Sequence, residues 1–266
     1  MSDEPLVLAE DHGRVRRLVM NRPERRNPLS QAMIAALREA LARAVEDEGV
    51  RVIVLAAAGP VYSAGHDFAE MYGHLADADR GLAFFRRLMG DCSALMQAIV
   101  TAPKPVIAAV RGVATAAGCQ LVASCDLAIA EAGTRFATPG VNNGLFCSTP
   151  MVALSRAVPR KQAMEMLLMG EFVGAEQALA MGLVNRVVPA GELEATVMAM
   201  ATHIATRSSQ AIAYGKRLFQ QQLDLDLAEA YARASEVMAI NMLESDPAEG
   251  IAAFLEKRRP EWMDAS

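Results

Sequence analysis

Aromatic side chains are scarce in this 266-residue chain: Phe, Trp and Tyr together make up 5%, with a single Trp. Cysteine is scarcer. The four present (Cys92, Cys119, Cys125, Cys147) form no CxxC pair, and the four histidines (His12, His66, His74, His203) show no HExxH-type spacing. A disulfide scaffold is excluded on that count and no metal is expected. No stretch reaches the roughly 18 consecutive apolar residues of a membrane span. Basic charge is not in excess either, with 26 Lys+Arg against 31 Asp+Glu, whereas a general nucleic-acid binder carries a basic surplus. The start, Met1 to Pro5, is acidic and has neither an apolar signal core nor an Arg-rich transit pattern, so a cytoplasmic location is expected. What the chain has in plenty is small and flexible: 53% of it is hydrophobic, with abundant Ala and 16 Met. Such residues suit close packing of helices and of backbone around something.

Val15 to Met20 reads as a strand, and Ser30 is placed to cap a helix whose apolar positions are Met33, Leu37, Leu41 and Ala44. Val50 to Ala56 and Pro105 to Val110 read as strands buried on both faces. A helix over Gly81 to Ala102 lies between them, and Gly112 to Ser124 runs from a small-residue loop into a helix before a short strand at Asp126 to Ala130. This alternation predicts βαβ units. Beyond Gly191 only helical spacing is left, over Ala195 to Arg207, Ala211 to Gln222, Leu227 to Leu243 and Pro247 to Glu256. The expected division is an α/β core over residues 1–190 and a helical region over residues 191–266.

Two loop-to-helix junctions stand out, Ser63 to Phe68 and Gly112 to Gln120. Small residues let a ligand approach the main chain, and a first helical turn carries unpaired N–H donors. Two converging donors of this kind form an oxyanion hole, which holds negative charge developing on a carbonyl oxygen. The plain alternative is a pair of tight turns. Neither segment fits GxxxxGK[ST] or GxGxxG, which argues against nucleotide hydrolysis and hydride transfer.

Several segments resemble the crotonase, or enoyl-CoA hydratase/isomerase, superfamily. They are Asn21-Arg22-Pro23 with Asn27-Pro28-Leu29, the Ser63 to Phe68 loop, Lys104 to Val110, Gly118 to Asp126, Phe136-Ala137-Thr138-Pro139 and Ala180 to Val184. The resemblance implies a crotonase-like α/β fold, a ββα superhelix core with a helical C-terminal trimerisation region, assembled as a homotrimer or a dimer of trimers. It also implies an acyl-CoA substrate, with coenzyme A present as part of that substrate and no separate cofactor. By position the thioester carbonyl would sit between the backbone N–H groups of His66 and Ala117. Arg25, Arg26 and Pro28, together with Ala64, His66, Asp67, Phe68 and Ala69, would cradle the CoA moiety, and Lys257 would offer a cation to its phosphates across a subunit boundary.

Hydration in this family uses two Glu residues as general acid and base, and those positions correspond to Gln120 and Gly140. Gln120 can position water or substrate but cannot relay a proton, and Gly140 offers only backbone, so ordinary hydration is expected to be weak or absent. Replacing both by Glu is expected to restore it if the geometry is kept. Asn142, Asn143, Cys147 and Ser148 are candidates to line the same pocket. Two other readings stand beside the enzyme reading: a non-catalytic acyl-CoA-binding scaffold, and a malonyl-type acyl-CoA decarboxylase. The latter rests on Ser63-Ala64-Gly65-His66-Asp67, which is similar to the corresponding stretch of methylmalonyl-CoA decarboxylases.

Overall fold

The computed structural model describes residues 4–262. Met1 to Asp3, part of the acidic start read above, and the last four residues of the expected C-terminal region lie outside the described residues. The strand expected at Val15–Met20 is β2. A strand not anticipated, β1 (Val7–His12), folds back antiparallel on it, with Val7 opposite Met20 and His12 opposite Val15. The others, in chain order, are β3 (Val52–Ala57), β4 (Val106–Val110), β5 (Val113–Thr115), β6 (Leu127–Glu131), β7 (Arg135–Ala137), β8 (Val173–Gly174) and β9 (Arg186–Val188). One sheet runs β1-β2-β3-β4-β6-β9, parallel from β2 onward, and a small second sheet runs β5-β7-β8.

Eleven helices complete the described chain: α1 (Gln31–Glu46), α2 (Phe68–Gly73), α3 (Leu82–Thr101), α4 (Ala117–Ser124), α5 (Ser148–Ala157), α6 (Arg160–Met169), α7 (Ala175–Ala180), α8 (Leu193–Ala205), α9 (Ser209–Gln222), α10 (Leu227–Asn241) and α11 (Ser245–Glu256). Ser30 caps α1 as expected, its hydroxyl accepting from the Met33 N–H at 3.2 Å.

Every residue of β3 and β4 is buried because both faces of the sheet are covered. The alternation of strand side chains separates two cores. Leu18, Met20, Ile53, Leu55, Ala108 and Val110 join the larger one with α1, α3 and α4. Val15, Val19, Val52, Val54 and Ile107 face the other way, onto Leu193, Val197, Ala201 and Ala205 of α8.

That second core includes α8, which lies within the region 191–266 expected to be a separate helical part. α8 is a layer of the α/β unit, and the helices that stand off the sheet begin at α9. Lys216 clasps α9 to the core, its Nζ donating to the carbonyls of Ile99 (3.0 Å) and Lys104 (3.1 Å) and to Asp126 (2.6 Å). α9 and α10 bury no residue, and Phe219, Leu227, Tyr231, Met238 and Leu243 lie exposed on or beside them.

Candidate active site

Three neighbouring segments run in the same direction and leave the small sheet at the same end. Ser63 bridges Ala114 in parallel, and β5 pairs in parallel with β7, Thr115 opposite Ala137. The bonds Ser63 N–H to Val113 O (3.1 Å), Thr115 N–H to Ser63 O (3.0 Å) and Ala116 N–H to Ala137 O (2.9 Å) lock them together. Beyond that end the chains become the Ala64 to Asp67 loop, α4 and the turn Pro139–Asn143. Carboxyl ends of parallel strands are where α/β folds place ligands. The predicted residues His66, Ala117, Gln120 and Gly140 are therefore brought to one place by topology.

The approach is tight. A Cβ on Gly118 would lie 2.6 Å from the Ser63 carbonyl oxygen, and one on Gly65 (φ +88°) would lie 2.9 Å from Cβ of Ala116. Asn27 anchors the other flank of the loop from a left-handed conformation (φ 49°). Its amide donates to the carbonyls of Ala58 (2.9 Å) and Val61 (2.8 Å), and its Oδ1 accepts from the Arg22 N–H (2.8 Å). Ser63 Oγ donates to the Asn27 carbonyl at 2.8 Å. Ala116, at φ 49° and ψ −117°, holds a conformation that favours glycine. Such strain persists only where the surroundings impose it, and it clusters at functional sites.

The result is a buried helix start. α4 has no side-chain cap, and its first six residues are all buried. Neither the Ala117 nor the His66 backbone N–H is engaged by another group among the described residues. Buried N–H groups without partners are rare, and a buried uncapped helix start calls for a ligand acceptor. The His66 ring is a positioned loop histidine: a nitrogen facing a carbonyl must carry the proton, so Nδ1 donates to Leu29 O at 3.0 Å. Nε2 is buried without a partner. Burial lowers the imidazole's pKa, so the ring is neutral.

The two positions expected to correspond to the family's carboxylates differ from this. Gln120 is 4% exposed and its Oε1 has no partner. Gly140 is buried, and its N–H donates to Cys147 Sγ at 3.3 Å. A Cβ at Gly140 would meet that Sγ at 2.9 Å and the Leu145 carbonyl oxygen at 2.9 Å. The space where a side chain at position 140 would begin is filled, so simple reinstatement of Glu there, expected above to restore hydration, is sterically opposed.

At the rim, a cleft of about 350 Å³ is lined by Arg22, Arg25, Pro28, Asp67, Ala69 and Glu70, among others. Arg25 pairs with Asp67 at 3.0 Å, and Asp67 accepts from the Ala69 and Glu70 N–H groups as the cap of α2. Arg26, Ala64, Phe68 and Ala69 are exposed beside it. Two predicted residues lie elsewhere. Asn142 donates to the Gly170 carbonyl at 3.3 Å, a loop hydrogen bond at the end of α6. Lys257 is exposed at the end of α11, which packs extensively on no element of the site. Sequence reasoning missed Glu70, whose carboxylate accepts from the Gln31 N–H at 3.0 Å. The Asp67 to Glu70 spacing, a capping-box signature, would have announced both α2 and this residue.

Residues 10–265 match the family model described as enoyl-CoA hydratase/isomerase. Enoyl-CoA hydratase domain-containing protein 3 (mitochondrial) of Rattus norvegicus is 46% identical over 261 residues, which is 98% of this chain and 85% of that protein. The crystal structure of the human protein of that name superposes with a TM-score of 0.92 at 45% identity, covering 97% of this chain and 100% of the other. A Mycobacterium smegmatis enoyl-CoA hydratase structure gives 0.92 at 51% identity, covering 97% and 99%. With a family model spanning nearly all of it, this chain belongs to the enoyl-CoA hydratase/isomerase family.

Proposed function

We propose that the chain is an acyl-CoA enzyme that holds the thioester carbonyl between the His66 and Ala117 N–H groups and has lost ordinary hydration. The observation that carries this reading is the buried, uncapped start of α4 beside the loop of His66. Charge developing on the carbonyl oxygen is stabilised by these fixed donors without reorganisation. Gln120 holds a water or substrate group but returns no proton, and Gly140 supplies no acid. Arg25, Arg26 and the rim cleft take the CoA moiety. Two further copies of the chain covering the apolar faces of α9 and α10 would bury surface of a size that soluble monomers rarely expose, and would bring a neighbour's Lys257 toward the CoA phosphates.

The decarboxylase reading is weakened by the His66 ring, whose pKa burial holds below the ordinary imidazole value and which spends Nδ1 on the Leu29 carbonyl. The scaffold reading predicts binding without any turnover. Calorimetric titration with butyryl-CoA and with its S-butyl thioether, which lacks the carbonyl, tests the oxyanion contact. At least about tenfold weaker binding of the thioether is expected from two lost hydrogen bonds. Equal affinity would sink the reading.

A further inference from the structure

We propose that the Cys147 thiol is a catalytic residue that exchanges a proton with the α-carbon of the bound acyl thioester. This deepens the acyl-CoA reading and rests on it. The thiol occupies the place vacated at position 140: Sγ lies 2.9 Å from where a Gly140 side chain would begin, and it receives the Gly140 N–H at 3.3 Å. Cys147 is buried too, at 8% exposed, but Cys92 and Cys119 are 0% and 1% exposed, and Cys125 spends its proton on the Leu121 carbonyl. Cys147 stands at the start of the ten-residue α5, where the unpaired N–H groups support a thiolate when one forms.

A second observation comes from the neighbouring segments, where two buried polar atoms have no partner. Thr138 is fully buried and its Oγ1 has no partner, and Gln120 is 4% exposed with Oε1 equally unpartnered. Thr138 directly follows the Ala137 whose carbonyl takes the Ala116 N–H, and Gln120 lies one helical turn beyond Ala117. Buried polar atoms left unsatisfied by the chain mark a place for a ligand or its water.

Burial raises the Cys147 pKa, so the resting group is S–H, a proton donor to an enolate. In the reverse direction the thiol first loses its proton to solvent, and the thiolate then takes the α-proton. The S–H bond forms as the C–H bond breaks, and the C–H pair becomes the enolate double bond while the carbonyl pair moves onto the oxygen held by the two N–H groups. In D₂O the S–H so formed exchanges to S–D with release of HDO, and transfer of that deuteron to the α-carbon of the enolate gives R–D and regenerates the thiolate, with no change of oxidation state.

The test is incorporation of deuterium at Cα of butyryl-CoA in D₂O, read by mass spectrometry, alongside calorimetric affinity for the same ligand. Wild type is expected to exchange faster as pH rises through the neutral range, because the thiol must ionise. Cys147→Ala and Cys147→Ser are expected to exchange at least about a hundredfold more slowly with affinity kept within about threefold. Should the variants not fold, wild type capped with methyl methanethiosulfonate, mass-checked as one label at Cys147, is expected to lose exchange and regain it with dithiothreitol. Unchanged exchange in Cys147→Ala or in the capped protein, or no exchange by wild type that binds butyryl-CoA, would overturn the proposal. Absence of binding by wild type would overturn the acyl-CoA reading itself, and the thiol's role with it.

Discussion

The two walls of the candidate site are built differently. On one, the loop of His66 and the start of α4 present backbone donors, and that geometry is enforced by packing and hydrogen bonds around them: Gly118 against Ser63, Asn27 on Ala58 and Val61, Ala116 held at positive φ. On the other, Gln120 and Gly140 stand where the proposed reading expects the two carboxylates, and Cys147 Sγ lies against Gly140. A function built from main-chain N–H groups survives as long as the packing does. One built from two side chains would be lost with two substitutions while the fold stays intact, as the proposed reading holds for this chain.

The contrast makes Gly118→Val the most damaging change to the first wall. Its Cβ meets backbone and side chain of Ser63 at 2.6 and 2.7 Å, and a loss of about 3 kcal/mol in urea unfolding is expected together with lost butyryl-CoA affinity. Unimpaired affinity would break the comparison. On the second wall, Gly140→Glu is expected to cost about 2 kcal/mol from the clash with Cys147 and Leu145, and Gln120→Glu with Gly140→Glu is expected to gain no hydration until the Cys147 loop is also rebuilt. Measurable hydration in that folded double variant would show that the second wall is as permissive as its sequence suggests.

Two smaller effects sharpen the account. Ala116→Gly relieves the positive φ and is expected to raise stability by about 1 kcal/mol in urea melts. His66 gives a pH signature. Burial holds its folded pKa below the ordinary value of 6.5, so the unfolded chain takes up a proton first. The stability this group contributes is present above about 6.5 and is lost as pH falls from there toward the folded value. His66→Gln is expected to flatten the fall of Tm below that pH, and an unchanged slope would remove His66 as its source.

Long elements were legible in the sequence because their periodicity repeats often enough to read. Ser30 with Met33, Leu37, Leu41 and Ala44 announces α1, and the apolar runs of β3 and β4 announce a covered sheet. β5 and β7 are three residues each and β8 is two, too short for any period, yet these are the strands that align the site. α8 read as part of a separate helical region because spacing shows which face is apolar but not what covers it. At the site, the positions of His66, Ala117, Gln120 and Gly140 came from resemblance. The contact of Gly140 with Cys147 could not be read at all, because it depends on how the six residues between them fold back.

The central claim is that the backbone donors remain while the two-carboxylate machinery is gone. Its most direct test is the hydration rate of crotonyl-CoA at saturation by purified chain, beside a family hydratase that carries both Glu residues. The account predicts turnover lower by at least about 10²-fold to 10⁴-fold in a protein that still binds the thioester. Turnover matching the two-Glu enzyme would contradict it.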